Sequence, residues 1–138
     1  MKDCTMEIEN GFGPIDIAIS GLKAQGKQIE IISSNVANAR TTDAGNGEPY
    51  RRLEAVFETD DEKGGVRLDK IITDTSDFLK ILDPGHPLAD ENGYVSMPNV
   101  NLPVEMMNLT IATRVYQANT AVLKRYQQMV ENTLELLR

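Results

Sequence analysis

Two apolar heptads, one near each end of the chain, limit what it can fold into. Ile15, Leu22, Ile29 and Val36 recur at every seventh residue, with Ala18, Ile32 and Ala39 between them. Val115, Val122, Met129 and Leu136 do the same near the C terminus, and Leu109, Tyr116, Leu123, Val130 and Leu137 repeat one position along. A seven-residue apolar repeat keeps one seam of a helix turned toward a partner. Pro14 and Pro103 suit the first turn of a helix, where the missing N–H is not needed. The pattern predicts helices of roughly 38 Å and 51 Å at 1.5 Å per residue. The second stripe is two positions wide, enough to touch more than one neighbouring helix, and the first helix alone cannot cover it.

Between these segments the period changes. Leu53, Ala55 and Phe57 alternate with polar or charged neighbours, as in a half-buried strand. Val66, Leu68 and Ile72 suggest a second strand whose inward face is interrupted by Lys70, and Phe78 to Leu82 a third. Gly64-Gly65 reads as a turn, and Asn92-Gly93 ahead of Tyr94 and Val95 as a hairpin signal. The predicted fold class is α+β: long N- and C-terminal helices paired as an antiparallel coiled-coil-like stem, with a small β-rich middle domain. The boundaries are a flexible segment at 1–13, the first stem helix at 14–42, the β-rich middle of three to five strands at 43–100, and the second stem helix at 101–138. Gly21 and Gly26 fall inside the first helix, and Gly26 either admits a close backbone or is a tolerated weak spot.

Aromatic residues make up 5% of the chain and Trp is absent, so the internal core is thin and apolar surface is expected to be buried between chains. A net charge of −7 opposes nucleic-acid binding, which rests on neutralising phosphates, and opposes an anionic membrane surface equally. No run approaches the roughly 18 apolar residues of a membrane span. The first residues lack the apolar run and cleavage site of a secretory leader. Cys4 is the only cysteine, so no intrachain disulfide is possible.

Candidates for chemistry are few. His86, the one histidine, lies near Asp83 and Asp90, and an enzyme or metal reading would recruit all three. A single histidine with carboxylates is a poor ligand set, and the prolines flanking Gly85-His86 suggest a loop held in one conformation. No phosphate-cradling glycine loop follows a strand, no nucleophile has a recognisable base, and no cofactor is expected. Arg51-Arg52 reads either as half of a cross-subunit salt bridge or as a solvated strand edge. Asn35, Asn38, Asn108, Gln117, Asn119, Gln127, Gln128 and Asn132 decorate the helices, either setting register at a packed face or simply meeting water. Asn38 is also placed to terminate its helix.

The stretch from Ile15 to Gln25, followed by Ser34, Asn35, Ala37, Asn38 and Thr41, resembles the N-terminal signature of bacterial flagellar rod and hook proteins. That signature is a small-residue helix ending in Ser-Asn-x-Ala-Asn-x-x-Thr. The likeness extends through Glu48-Pro49-Tyr50-Arg51, through His86-Pro87 to Gly93-Tyr94, through Met97 to Asn101, and through Glu105-Met106-Met107 to Tyr116-Gln117 and Asn119. It covers about Phe12 to Arg138 and points to the proximal-rod branch. The resemblance implies a structural subunit with no enzymatic activity, polymerising through its terminal helices into the drive shaft and export channel that transmit torque and support motility. Its partners would be copies of itself, other proximal and distal rod subunits and the rod-to-base adaptor. It implies passage through the flagellar type III export apparatus without a cleaved signal peptide, to a rod that spans the periplasm. Other readings are a soluble helical adaptor or export-chaperone-like module, which has no need of the β insert, and a small hydrolase or metal enzyme centred on His86.

Overall fold

A computed structural model describes residues 13–61 and 64–137. The expected flexible segment at 1–13 and Cys4 lie, but for Gly13, outside the described residues. The elements run α1 (Pro14–Ala37), β1 (Leu53–Thr59), β2 (Val66–Thr73), β3 (Leu79–Leu82), β4 (Tyr94–Met97) and α2 (Leu102–Leu136).

Both helices begin where the sequence offers a cap. Pro14 opens α1, and the Asp16 carboxylate accepts from the Gly13 N–H at 3.3 Å. Asn101 caps α2, its side-chain oxygen accepting from Val104 N at 3.2 Å, with Pro103 in the first turn. At its far end α1 stops at Ala37, short of the Ala39 implied by its apolar pattern: Ser34 O accepts from both the Asn38 N–H at 3.0 Å and the Asn38 side-chain amide at 2.9 Å, and Ala39 N turns to Val36 O at 3.3 Å. Thr41 then donates to Asn38 Oδ1 at 3.2 Å, so residues 38–42 form a turn, not the last turn of a helix.

The helices run antiparallel, as their points of closest approach establish. Asn35, late in α1, meets Glu105, early in α2, while Gly21 lies against Asn119. Gly26 faces the Tyr116 ring, and Gln28 and Ala112 line one groove between these points. Gly21, Gln28 and Asn35 are heptad-spaced, as are Asn119, Ala112 and Glu105. The line of contact is therefore drawn by small and polar residues, with Ala24, Ile31 and Ile32 buried beside it. A Cβ on Gly21 would come within 3.1 Å of Asn119 Nδ2 and one on Gly26 within 4.0 Å of the Tyr116 ring, so Gly21 is the more crowded of the two glycines by α2.

The middle of the chain forms two separate two-stranded antiparallel sheets, β1–β2 and β3–β4. The first packs on α1; among the described elements the second packs on no helix and no other strand. A register shift at Val56/Phe57 turns the end of β2 over, so Ile72 lies opposite Glu54 and not on the Leu68 face that strict alternation predicts. The tip of β1–β2 is docked: Ser20 Oγ donates to Ile17 O at 2.7 Å and accepts from Val66 N at 3.2 Å. Gly65, at φ +91°, sits against that hydroxyl, where any Cβ would collide with Ser20 Oγ. Gly65→Ala is expected to cost about 1–2 kcal/mol, as strained backbone does. Hydrogen exchange should locate the loss at the Val66 amide, and a protected Val66 in that variant would contradict the docking. The β3–β4 connection spans Asp83 to Gly93, longer than the tight turn read from Asn92-Gly93. Gly93 takes φ +80° on entering β4, and the Asp90 carboxylate accepts from Asn92 N and Tyr94 N, both at 2.9 Å.

Candidate functional site

The most densely bonded part of the molecule is a polar junction where the entry to β1 meets the end of α1 and the start of α2. Asn35 and Glu105, each 1% exposed, are its centre. Asn35 Oδ1 accepts from Leu53 N at 2.9 Å and from the Tyr50 hydroxyl at 3.0 Å. Its amide nitrogen donates to Leu53 O at 2.9 Å and to Glu105 Oε2 at 3.3 Å. One side chain thus saturates both backbone groups of the first residue of β1, as a neighbouring strand would. Ser34 Oγ lies 3.3 Å from the Tyr50 hydroxyl, completing the cluster. Among the described residues no buried side-chain polar atom lacks a partner.

Glu105 takes its charge partner from the same strand entry. Arg52 Nε donates to Glu105 Oε1 at 2.7 Å, with Glu54 and Asp74 carboxylate oxygens 3.6 and 3.9 Å from Nη1. Burial works against the charged guanidinium, but the hydrogen bond and attraction of Glu105, joined by Glu54 and Asp74, outweigh it and raise the Arg52 pKa. Arg52 is therefore an intrachain partner of Glu105 and not a merely solvated strand edge. Its neighbour Arg51 stacks on Phe78, 4.2 Å from the ring centroid. Asn99 ties this level to the second sheet: its Oδ1 accepts from Arg52 N at 2.9 Å, and its amide donates to Asp74 O at 3.1 Å and to Ser76 Oγ at 3.0 Å.

Asp74 accepts from Ser76 N at 2.8 Å. The Ser76 backbone and side-chain hydrogen bonds, helped by Arg52 and Arg51, hold its carboxyl below the usual range. A depressed carboxylate pKa contributes stability that is complete above the unfolded value of about 3.9 and is lost as pH falls through the folded value. Asp74→Asn should flatten the fall in melting temperature below about pH 4, where that carboxylate protonates. An unchanged acid limb would contradict this assignment.

The sequence motif residues divide by location. Ser34, Asn35, Asn38, Thr41, Tyr50 and Arg51 meet at or beside the junction, with Pro49 buried next to them and Glu48 4.0 Å from Arg51. Ala37 is exposed on the last turn of α1. His86, Pro87, Gly93 and Tyr94 lie apart in the β3–β4 unit. His86 Nδ1 accepts from Leu88 N at 3.1 Å, a hydrogen bond that fixes the loop. Among the described residues no three metal-ligating side chains come together. Tyr116 and Gln117 are exposed on α2, while Asn119 meets Gly21.

The heptad residues divide too. Ile15, Leu22, Ile29 and Val36 are half-buried on α1. On α2, Val115, Val122, Met129 and Leu136 are all exposed, Val122 and Met129 by 54% and 55% and Leu136 by 88%. From Gln127 to Leu137 every residue is exposed.

Family comparisons bear on both halves. A family model described as flagella basal body rod protein matches residues 15–44, and another, flagellar basal body rod FlgEFG protein C-terminal, matches residues 91–136. The chain is 42% identical over 125 residues to flagellar basal-body rod protein FlgC of Salmonella typhimurium, covering 88% of this chain and 93% of that one. It is 42% identical over 127 residues to the protein of the same name from Agrobacterium fabrum, covering 88% and 91%. The chain belongs to the flagellar basal-body rod protein family. The N-terminal family match takes in Asn35 and the C-terminal one Glu105, so the rod-protein signature contains both halves of the buried junction.

Sequence reasoning missed Glu105, Arg52 and Asn99 as a group. Glu105 could have been found by following the non-apolar heptad through Ala112 and Asn119 instead of the apolar one. Asn99 carries no such signal.

Proposed function

We propose that this rod structural subunit of the flagellar basal body polymerises through its terminal helices, with the exposed face of α2 covered by neighbouring subunits. The observation that supports this reading is the unpartnered stripe of Val115, Val122, Met129 and Leu136. Long helices in water are stabilised mainly by packing an apolar face, and this face has nothing packed on it among the described residues. The helix pair then forms the wall of the drive shaft and its export channel, with the two β-hairpins outside. The stem is coiled-coil-like and comprises 14–42 and 101–138, with 43–100 as the attached domain. Copies of the chain, other rod subunits and the base adaptor are its neighbours, and it reaches the periplasm through the flagellar type III export apparatus without a cleaved signal peptide. A soluble adaptor would share the helices but leaves the elaborate β insert unexplained.

The test is Val122→Lys in cells where it is the sole copy. Lysine is preferable to aspartate because Arg125, one turn on, would neutralise an acid there. A buried unpaired charge costs about 3–5 kcal/mol at each contact. We expect non-swimming cells without rods, while circular dichroism of the purified variant matches the native chain. Normal swimming would overturn the placement of the assembly face.

A further inference from the structure

A groove of about 400 Å³ opens between α1, β1 and α2, lined by Ile31, Ile32, Ala55, Phe57, Ile111 and Val115. Glu54 stands at its lip, its side chain 54% exposed. We propose that this groove seats the exposed α2 seam of a second copy of the chain, with Arg125 of that copy paired to Glu54. The inference rests on the reading that α2 is an assembly helix, and adds where on the neighbour its seam is received.

Two observations select this occupant. The first is continuity. Ile111 and Val115 form one wall of the groove and also begin the exposed α2 stripe that continues through Val122 and Met129. Val115 and Met129 are fourteen residues apart, or about 21 Å along the helix, so no α2 can fill its own groove with its own distal seam. The second is charge. Arg125 lies between Val122 and Met129, three residues from the first and four from the second, and is therefore a cation set inside an apolar stripe. It makes no ion pair among the described residues. From Met106 to Val130, α2 holds Arg114, Lys124 and Arg125 and no carboxylate. A cation so placed needs an acid from whatever covers the stripe, and the groove offers one. Glu54 is held only at 3.6 Å by Arg52, whose short contact is to Glu105.

Groove and seam are different parts of one surface. Used head to tail, each copy gives one face and receives another, and repetition builds a ring or a helix; reciprocal exchange between two copies would close as a dimer.

Charge exchange in cells carrying the variant as sole copy tests the pairing. Arg125→Glu and Glu54→Arg should each abolish swimming and rods, and the double variant should restore both. Opposed like charges in an interface are strongly unfavourable, whereas the exchanged pair recovers the attraction. Rescue within one chain requires both partners to be this protein. If both single variants fail and the double also fails, the occupant is a different subunit and the proposal is overturned. A harmless single variant overturns it equally. Glu54→Gln with Arg125→Gln repeats the cycle with smaller changes, guarding against damage to the Arg52 junction; the double should swim at least as well as either single, and strictly additive losses would again refute the pairing. Val122→Lys separates the two claims: loss there with no effect of charge exchange removes the groove assignment alone, and normal swimming there removes the helix-assembly reading beneath it.

Discussion

Glu105→Ala is expected to destabilise the free subunit by about 3–5 kcal/mol, the penalty for removing one partner of a buried ion pair. Glu105 is 1% exposed and holds Arg52 at 2.7 Å. Without it, the guanidinium keeps only the longer contacts to Glu54 and Asp74, and the Asn35 amide loses an acceptor. A typical domain is stable by only about 5–15 kcal/mol, so the loss is a large share of the total. Thermal denaturation should show a fall on the order of 10–15 °C. Replacing both Arg52 and Glu105 by leucine should cost much less than the single change, because no charge is left stranded. A single variant within about 1 kcal/mol of the native chain would show that the pair is not a structural tie.

Asn35 gives the second large effect, and its direction with pH is diagnostic. Asn35→Ala leaves Leu53 N–H and C=O without their partner, at about 1–3 kcal/mol for each unsatisfied group that water cannot reach. Asn35→Asp should be worse at neutral pH. An aspartate keeps the acceptor for Leu53 N but cannot donate to Leu53 O, and it faces the Glu105 carboxylate, which the native amide meets at 3.3 Å. Two buried carboxylates at that distance share a proton, with one pKa strongly raised. The folded state then binds a proton that the unfolded state releases, so the Asp variant should recover relative to the Ala variant as pH falls toward about 5. Melting curves of the two variants across that range measure the difference. Parallel curves would mean that Glu105 and residue 35 do not interact.

Much of the framework is legible in the sequence because it is local. Pro14 and Pro103 announce helix starts, Gly64-Gly65 a hairpin, and the apolar heptads two long helices. What fails is information carried by pairing. The bulge at Val56/Phe57 depends on two strands meeting, and it alone decides that Ile72 leaves the Leu68 face. The split into two sheets has the same origin, since four apolar runs do not say which will pair. The helix contact was obscured for a different reason. Apolar heptads draw the eye, yet Gly21, Gln28 and Asn35 against Asn119, Ala112 and Glu105 mark the closest line. Small residues permit close approach and amides demand partners, so a polar heptad can define an interface as firmly as a leucine one. Asn35 was readable as a register-setting amide. Its acceptor across seventy residues was not.

The position of the junction has a mechanical consequence. Asn35 lies two residues before the end of α1, and Glu105 in the first turn of α2. Both helices and the strand entry are thus riveted at one end of the stem, while the distal part of α2 projects like a cantilever. Torsion applied along α2 is borne by a short cross-braced root, Glu105 against Arg52 and Asn35 against Leu53. The β3–β4 hairpin packs on no helix and is joined to that root at its base, by Phe78 under Arg51 and Asn99 on the Arg52 amide. Stiffness is concentrated where the chain crosses itself.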